Sequence, residues 1–511
     1  MNPLQLNFKR PAIWLIVLTT LLKLILAGWV ELNNDEAYYW TYATKLQWNY
    51  FDHPPIIAVL LKYTRLPFFH HEFFLRLPFV LFGAGSCWMV FKIGSLLKDE
   101  FTGLIGTIIC IASFYVSILA GMLVLPDAPM VFFWLLAAYL LLEIISSPLS
   151  SFALNFKLLL VGVVIALCIL SKVQGVFLWG GFGAYLVFRK HPLLKNPFLY
   201  ISILVSLLLL IPSSLWSVQN SLSNINYHQS RIHFNQIGLN NFITELFGEI
   251  LYNNPIIWGL LVYSFFFTGI KNQLLKRPDI SLLLWLSLPL IATVLVLSLF
   301  NSTLPHWNGP GYSLLIPIVA FLIREKTPEI KIPGIVKFAA GFIWTLLICA
   351  ILLVNYFPGS LGKTEMPKYG KDDVTLDMAG WRDFANTYKS KFGTQYVCIL
   401  TDYWFPAGHL NFYLAPDIPV IAVGNLPEVH HFAWINADTY TLKKGDNACF
   451  ISVSNFYSQP KDFILKSFDS VSQPILVPQF RSGKIVRYFY IYPLTGYRGG
   501  IPANGVLENI N

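Results

Sequence analysis

About eleven stretches of this chain are apolar for long enough to cross a bilayer, and no other feature limits the fold as strongly. They lie near 12–30, 73–96, 103–122, 127–145, 157–171, 174–189, 198–216, 249–270, 280–300, 310–324 and 334–354. Charged residues make up only 12% of the 511, whereas a soluble domain carries about 25%. The reading is therefore a mainly α, polytopic transmembrane helical bundle. Its first apolar segment is too long for a signal-peptide core and lacks a small-residue cleavage site, so it is expected to stay as a helix. The stretch 54–68 is apolar but broken by Lys62 and Arg65, and reads as an interfacial helix.

Basic residues orient the bundle. Alternate loops hold Lys9/Arg10, Lys98, Arg189/Lys190/Lys195, Lys271/Lys276/Arg277 and Arg324/Lys326/Lys331, and belong on the cytoplasmic side. The intervening loops, with Asp35, Asp127, Lys172, Arg231 and His306, then face outward, and an odd number of spans puts residues 356–511 outside as well. This predicts a multi-pass protein of the cytoplasmic (inner) membrane. The net charge is +9, and the tail from Tyr356 has 14 Lys/Arg against 13 Asp/Glu, so +8 sits in the membrane part. Positive-inside loops account for most of that, and no nucleic-acid partner is expected.

The chain divides near 355 into a transmembrane part, 1–355, and a small α/β domain, 356–511. In the latter, 395–400, 418–423, 449–454 and 485–492 read as strands and 402–414 as a helix. Cys87, Cys110, Cys168 and Cys349 fall inside expected spans as small core residues; Cys398 and Cys449 are either a disulfide or two buried thiols. No Cys/His metal spacing occurs, and neither metal nor other cofactor is expected.

Topology gathers the polar residues on one side. Asp35, Glu36, Tyr38, Asp52 and His53 follow the first span; Asp127 sits between spans three and four; Lys172 joins five and six. Arg231 lies in the long polar insertion 217–245, and His306 links spans nine and ten. Carboxylates with cations at one membrane face suit a base beside an anionic group, as transfer from a phosphate-linked donor requires. Each also has a structural role open to it. Asp35 or Glu36 suits a helix cap, Asp127 a helix start, Lys172 snorkelling and His306 an interface anchor; the aromatics suit packing.

The blocks NNDEAYYWTYATKLQWNYFDHPP (33–55), LVLPDAP (123–129), SKVQG (171–175) and LPHWNGPGY (304–312), in this order, resemble membrane glycosyltransferases of the GT-C type. The nearest branch is the bacterial one related to protein O-mannosyltransferases and to the enzymes that add aminoarabinose or galacturonic acid to lipid A. The resemblance implies transfer of one sugar from a polyprenyl-phosphate carrier to an envelope lipid, glycan or protein acceptor. Asp35 would be the base, with Asp127 and Glu36 assisting. Lys172 and Arg231 would hold the carrier phosphate, with His53, Asp52, His306 and Tyr38 completing the substrate site. This chain has Asp52-His53 where the aminoarabinose branch has Glu-Lys. The alternatives are a flippase or transporter of lipid-linked glycan, and a polysaccharide polymerase or ligase. Transporters commonly repeat their halves, and no second copy of the first-half pattern is present.

Overall fold

The computed structural model describes residues 7–148, 152–234, 237–267, 276–327, 329–414 and 416–507. Seven helices within them are long and apolar enough to span a bilayer: Lys9–Trp29, Glu72–Leu97, Asp127–Ile145, Phe152–Ser171, Pro197–Gln219, Pro278–Ser298 and Gly334–Tyr356. Several present bulky apolar side chains outward; Trp14 is 71% exposed, Leu18 65% and Leu207 57%. A continuous apolar surface of that kind is stable against lipid and not against water. The protein is a polytopic membrane protein.

Four of the expected spans fall outside these seven helices. Residues 103–122 become the helix Glu100–Ala112 followed by a π-helical turn, Tyr115–Leu119. The segment 174–189 is the shorter helix Val176–Phe188. The helix Gly309–Lys326 covers 310–324, with Arg324 and Lys326 in its last turn. Residues 249–270 are divided between Leu239–Tyr252 and Pro255–Phe267, and 268–270 and Lys271 lie outside the described residues. The division falls at Asn254, which has a positive φ of 68° and donates to the carbonyls of Ala112 and Ala339, each at 3.0 Å. A buried amide satisfied by two backbone acceptors fixes a helix break at that point. The polar insertion 217–245 contains the helix Ser223–Gln229 and the start of Leu239–Tyr252. Residues 54–68 form not one helix but a short turn, Ile56–Leu61, and 3-10 pieces Lys62–Arg65 and Pro67–Phe69, broken by Pro67.

By packing, the described residues form two units. The first draws on Met1–Ala27, His53–Ile57 and Arg76–Leu346; the second on Gly28–Asp52, Ala58–Leu75 and Leu347–Asn511. The first is a helical bundle around an apolar core. Small side chains let its helices approach closely; Ser206 Oγ, for example, donates to the Gly162 carbonyl at 2.5 Å.

The second unit contains a six-stranded mixed sheet: β1 (Ile399–Thr401), β2 (Val420–Ala422), β3 (Ala448–Val453), β4 (Phe468–Val471), β5 (Ile475–Arg481) and β6 (Lys484–Tyr497). The order is β2-β1-β3-β6-β4, with β5 also paired to β6. β1 runs parallel to β2 and β3, and the remaining pairs are antiparallel. The four sequence-expected strands are present, and β4 and β5 are additional. β5 and β6 turn at Ser482-Gly483, both with positive φ (49° and 77°), the geometry of a tight hairpin. The helix Trp404–Leu414 crosses from β1 to β2 as a βαβ connection. Cys398 and Cys449 are buried free thiols, Cys398 in the sheet core.

Candidate active site

In the first unit, Pro126 precedes the helix Asp127–Ile145, so Asp127 occupies its first turn, where the helix dipole favours an anion. The carboxylate is buried and both oxygens are engaged. Lys172 Nζ donates to Oδ2 at 2.8 Å and Tyr115 Oη donates to Oδ1 at 2.8 Å. Lys172 reaches it because the helix Phe152–Ser171 stops there: Lys172 is extended and a 3-10 turn, Val173–Gly175, follows. Its side chain is 4% exposed and that of Asp127 2%. Tyr115 belongs to the π-helical turn, a local widening often found at functional positions.

The segment before Gly309–Lys326 closes on this pair. Gly309 lies so near the Tyr115 ring that a Cβ would overlap it. His306, partly buried, is pushed down to about 4 by burial and by the Lys172 charge, partly opposed by Asp127. The imidazole is therefore neutral at pH 7 and offers one N–H and one lone pair. The helix Leu239–Tyr252 faces the same segment with two buried carboxylates. Glu245 accepts from Thr303 Oγ1 at 2.7 Å, and Glu249 accepts from Asn308 and from Tyr312 Oη. Arg231 is exposed, with its guanidinium 5.5 Å from the Tyr227 ring. His53 is partly buried in the turn before Pro54-Pro55 and also belongs to this unit.

In the second unit, the helix Asn34–Tyr42 begins with a capping box. Asn33 accepts from the Glu36 amide at 2.9 Å, and Glu36 accepts from the Asn33 amide at 3.0 Å. Glu36 is buried in that duty, whereas Asp35, one residue earlier, is exposed. Tyr38 is buried; its hydroxyl donates to Asp52 Oδ2 at 2.5 Å and accepts from the His431 amide at 3.0 Å. Tyr42 Oη lies 3.1 Å from the same carboxylate oxygen, and His430 Nδ1 lies 3.1 Å from Asp52 Oδ1. Burial, with Asp52 beside it, holds the Tyr38 phenol well above its ordinary value, so it remains a donor.

The helix Trp404–Leu414 supports this segment. His409 Nε2 lies 3.0 Å from Asn34 Oδ1, the Tyr38 and Trp404 rings are 5.0 Å apart, and Gly408 admits the Tyr38 backbone where a Cβ would be 2.9 Å from its nitrogen.

Of the sequence-chosen residues, the structure brings Asp127, Lys172 and His306 together in one unit and Asp52 and Tyr38 together in the other. Arg231 stays on the surface of the first. Sequence reasoning missed Tyr115, Glu245, Glu249, His430 and His431. Glu245 and Glu249 carried a signal, since acids four apart on an otherwise apolar helix share a face. The His430–Asp52 contact had none, being 378 residues apart in the chain. Among the described residues no three His, Cys, Asp or Glu side chains converge as metal ligands would.

A family model described as dolichyl-phosphate-mannose-protein mannosyltransferase matches residues 52–216. The lipid A galacturonosyltransferase RgtD of Rhizobium johnstonii is 20% identical over 372 residues, spanning 69% of this chain and 73% of that protein. Crystal structures of ArnT from Cupriavidus metallidurans share the fold. The apo form aligns with a TM-score of 0.61 at 14% identity, covering 95% of this chain and 98% of that one. The form bound to undecaprenyl phosphate gives 0.62 at 15% identity, with 94% and 97% covered.

Proposed function

We propose that this chain, a membrane glycosyltransferase of the GT-C type, moves a single sugar from a polyprenyl-phosphate carrier to an envelope acceptor at the outer face of the cytoplasmic membrane. The observation that carries this reading is the buried Asp127–Lys172 pair with Tyr115 on its second oxygen. A buried ion pair in an apolar bundle adds little stability over a hydrophobic replacement, so its presence argues for use. Lys172, His306 and Arg231 supply donors for the carrier phosphate, as does His53 in the turn before Pro54-Pro55. The phosphate-bearing ArnT structure and the lipid A substrate in the name of RgtD support the same chemistry. The alternation of basic loops supports the outward orientation.

In the reaction proposed, Asp35 removes the proton from the acceptor hydroxyl. The acceptor oxygen attacks the anomeric carbon, and the bond from that carbon to the phosphate oxygen breaks with inversion. The leaving polyprenyl phosphate takes the electron pair and needs no proton, because cations and N–H donors stabilise it. Glu36 holds the first turn that presents Asp35, and Asp127 fixes the Lys172 ammonium. Asp52 and Tyr38 set the segment that carries Asp35.

The test is transfer in proteoliposomes supplied with a polyprenyl-phosphate monosaccharide and envelope lipid. Asp35→Asn should lower turnover by about a hundredfold or more with expression and thermal stability unchanged, the usual contribution of a general base. Wild-type turnover in that variant removes Asp35 as the base.

A further inference from the structure

We propose that a cavity of about 510 Å³ in the second unit is a saccharide-binding site that takes a sugar bearing an anionic substituent. It is bounded by the segment 368–377, by Tyr403 and Phe405 after β1, and by residues 455–457 after β3. Its size suits one or two sugar rings.

Three observations point to that ligand. Phe456 is 48% exposed and stands edge-on to Phe405, with centroids 4.4 Å apart, giving a half-open aromatic wall. Such a wall packs against the C–H face of a pyranose, leaving its hydroxyls free for polar groups. Asn455 is 7% exposed, lines the cavity, and its side-chain carbonyl oxygen has no hydrogen-bond partner among the described residues. A buried acceptor left open is costly unless a ligand supplies the donor, and a sugar hydroxyl does so.

The charges decide the rest. Asp373 is consumed internally, accepting from Ser360, the Leu361 amide and Thr375 beside Arg481. Asp372 pairs with Lys363 at 3.9 Å, and burial pushes the Asp377 carboxyl up to about 6, partly opposed by a hydrogen bond with Asn34 and by the Arg487 charge. Lys368 and Lys371 line the cavity beside these acids and enter no ion pair among the described residues, so two ammonium groups are at hand for a phosphate or carboxylate.

Saturation-transfer difference NMR on the full-length protein in detergent micelles tests this, with glucose 6-phosphate, glucose and inorganic phosphate as probes. Glucose 6-phosphate should give saturable signals on its ring protons and bind about tenfold more tightly than glucose. Phe456→Ala, a half-exposed position that leaves thermal stability unchanged, should weaken both sugars by about fivefold or more. Lys368→Ala combined with Lys371→Ala should reduce the phosphorylated sugar to the affinity of glucose. No saturable sugar signal, unaltered affinity in Phe456→Ala, or inorganic phosphate competing as well as the sugar phosphate each overturns the site.

The link to catalysis rests on the transferase reading above: the bound sugar is then a unit of the acceptor. Glucose 6-phosphate should raise the acceptor KM and leave the donor KM alone; binding without any effect on acceptor KM overturns that assignment. Asp35→Asn protein should still give the difference signals, so a failure of the catalytic reading and a failure of the sugar site are told apart.

Discussion

At the scale of single residues, two acids adjacent in sequence take different duties. Glu36 is spent on the Asn33 capping box while Asp35 stays exposed. The N-x-x-E spacing of Asn33 and Glu36 was legible, because a capping box is local. The Asp127–Lys172 pair was not, because the two residues lie 45 positions apart, one opening a helix and the other just past the end of another. Lys172→Ala leaves a buried carboxylate uncompensated and should destabilise the protein by about 3–5 kcal/mol in detergent-phase thermal unfolding. The double variant Asp127→Asn with Lys172→Met should lose less than the two single losses added. If Lys172 holds the donor phosphate, Lys172→Ala also weakens donor binding far more than acceptor binding, measured by titration.

His431 sets a pH dependence. Burial holds this imidazole down to about 3, against an ordinary value of 6.5. As pH falls below about 6.5 the unfolded chain takes up a proton that the folded one refuses, so stability is full above that value and declines toward 3. Melting between about pH 7 and pH 5 should show the decline, and His431→Gln should flatten it; an unaltered slope in that variant assigns the effect elsewhere.

At the scale of elements, two close approaches fix the helices that present the site. Gly309 beside the Tyr115 ring ties the 304–312 segment to Asp127, and Gly408 beside the Tyr38 backbone seats the helix Asn34–Tyr42 on Trp404–Leu414. Gly309→Ala should cost about 1–3 kcal/mol by overpacking and disturb the Tyr115–Asp127 hydrogen bond, which a larger loss of turnover than of stability reports. Asn33→Ala removes one side of the capping box and should cost about 1 kcal/mol. Faster amide exchange over 35–38 checks it, and unaltered exchange there shows that tertiary packing alone holds this turn. The helices were largely legible as elements because apolar runs are read locally. β4 and β5 escaped because β4 is short and partly polar and β5 exposes four of its seven residues to some degree while carrying a Pro.

At the scale of the whole molecule, alternating basic loops predict a C-terminus outside the cytoplasm. An alkaline phosphatase fusion after residue 507 should therefore be active and a cytoplasmic reporter at the same position inactive; the reverse pattern would place the tail and Asp35 in the cytosol. The membrane class, the positions of the main helices and the acidic and basic motifs followed from the sequence alone, since hydropathy and charge are sums over neighbouring residues. Tertiary structure alone decided which of those residues meet. It put residues 28–52 in one packing unit with 347–511, and gave Asp52 its His430 partner and Lys172 its Asp127. The physical reason is the same in each case: burial energy depends on surfaces brought together from distant parts of the chain, and a linear pattern shows that a charge must find a partner without naming it.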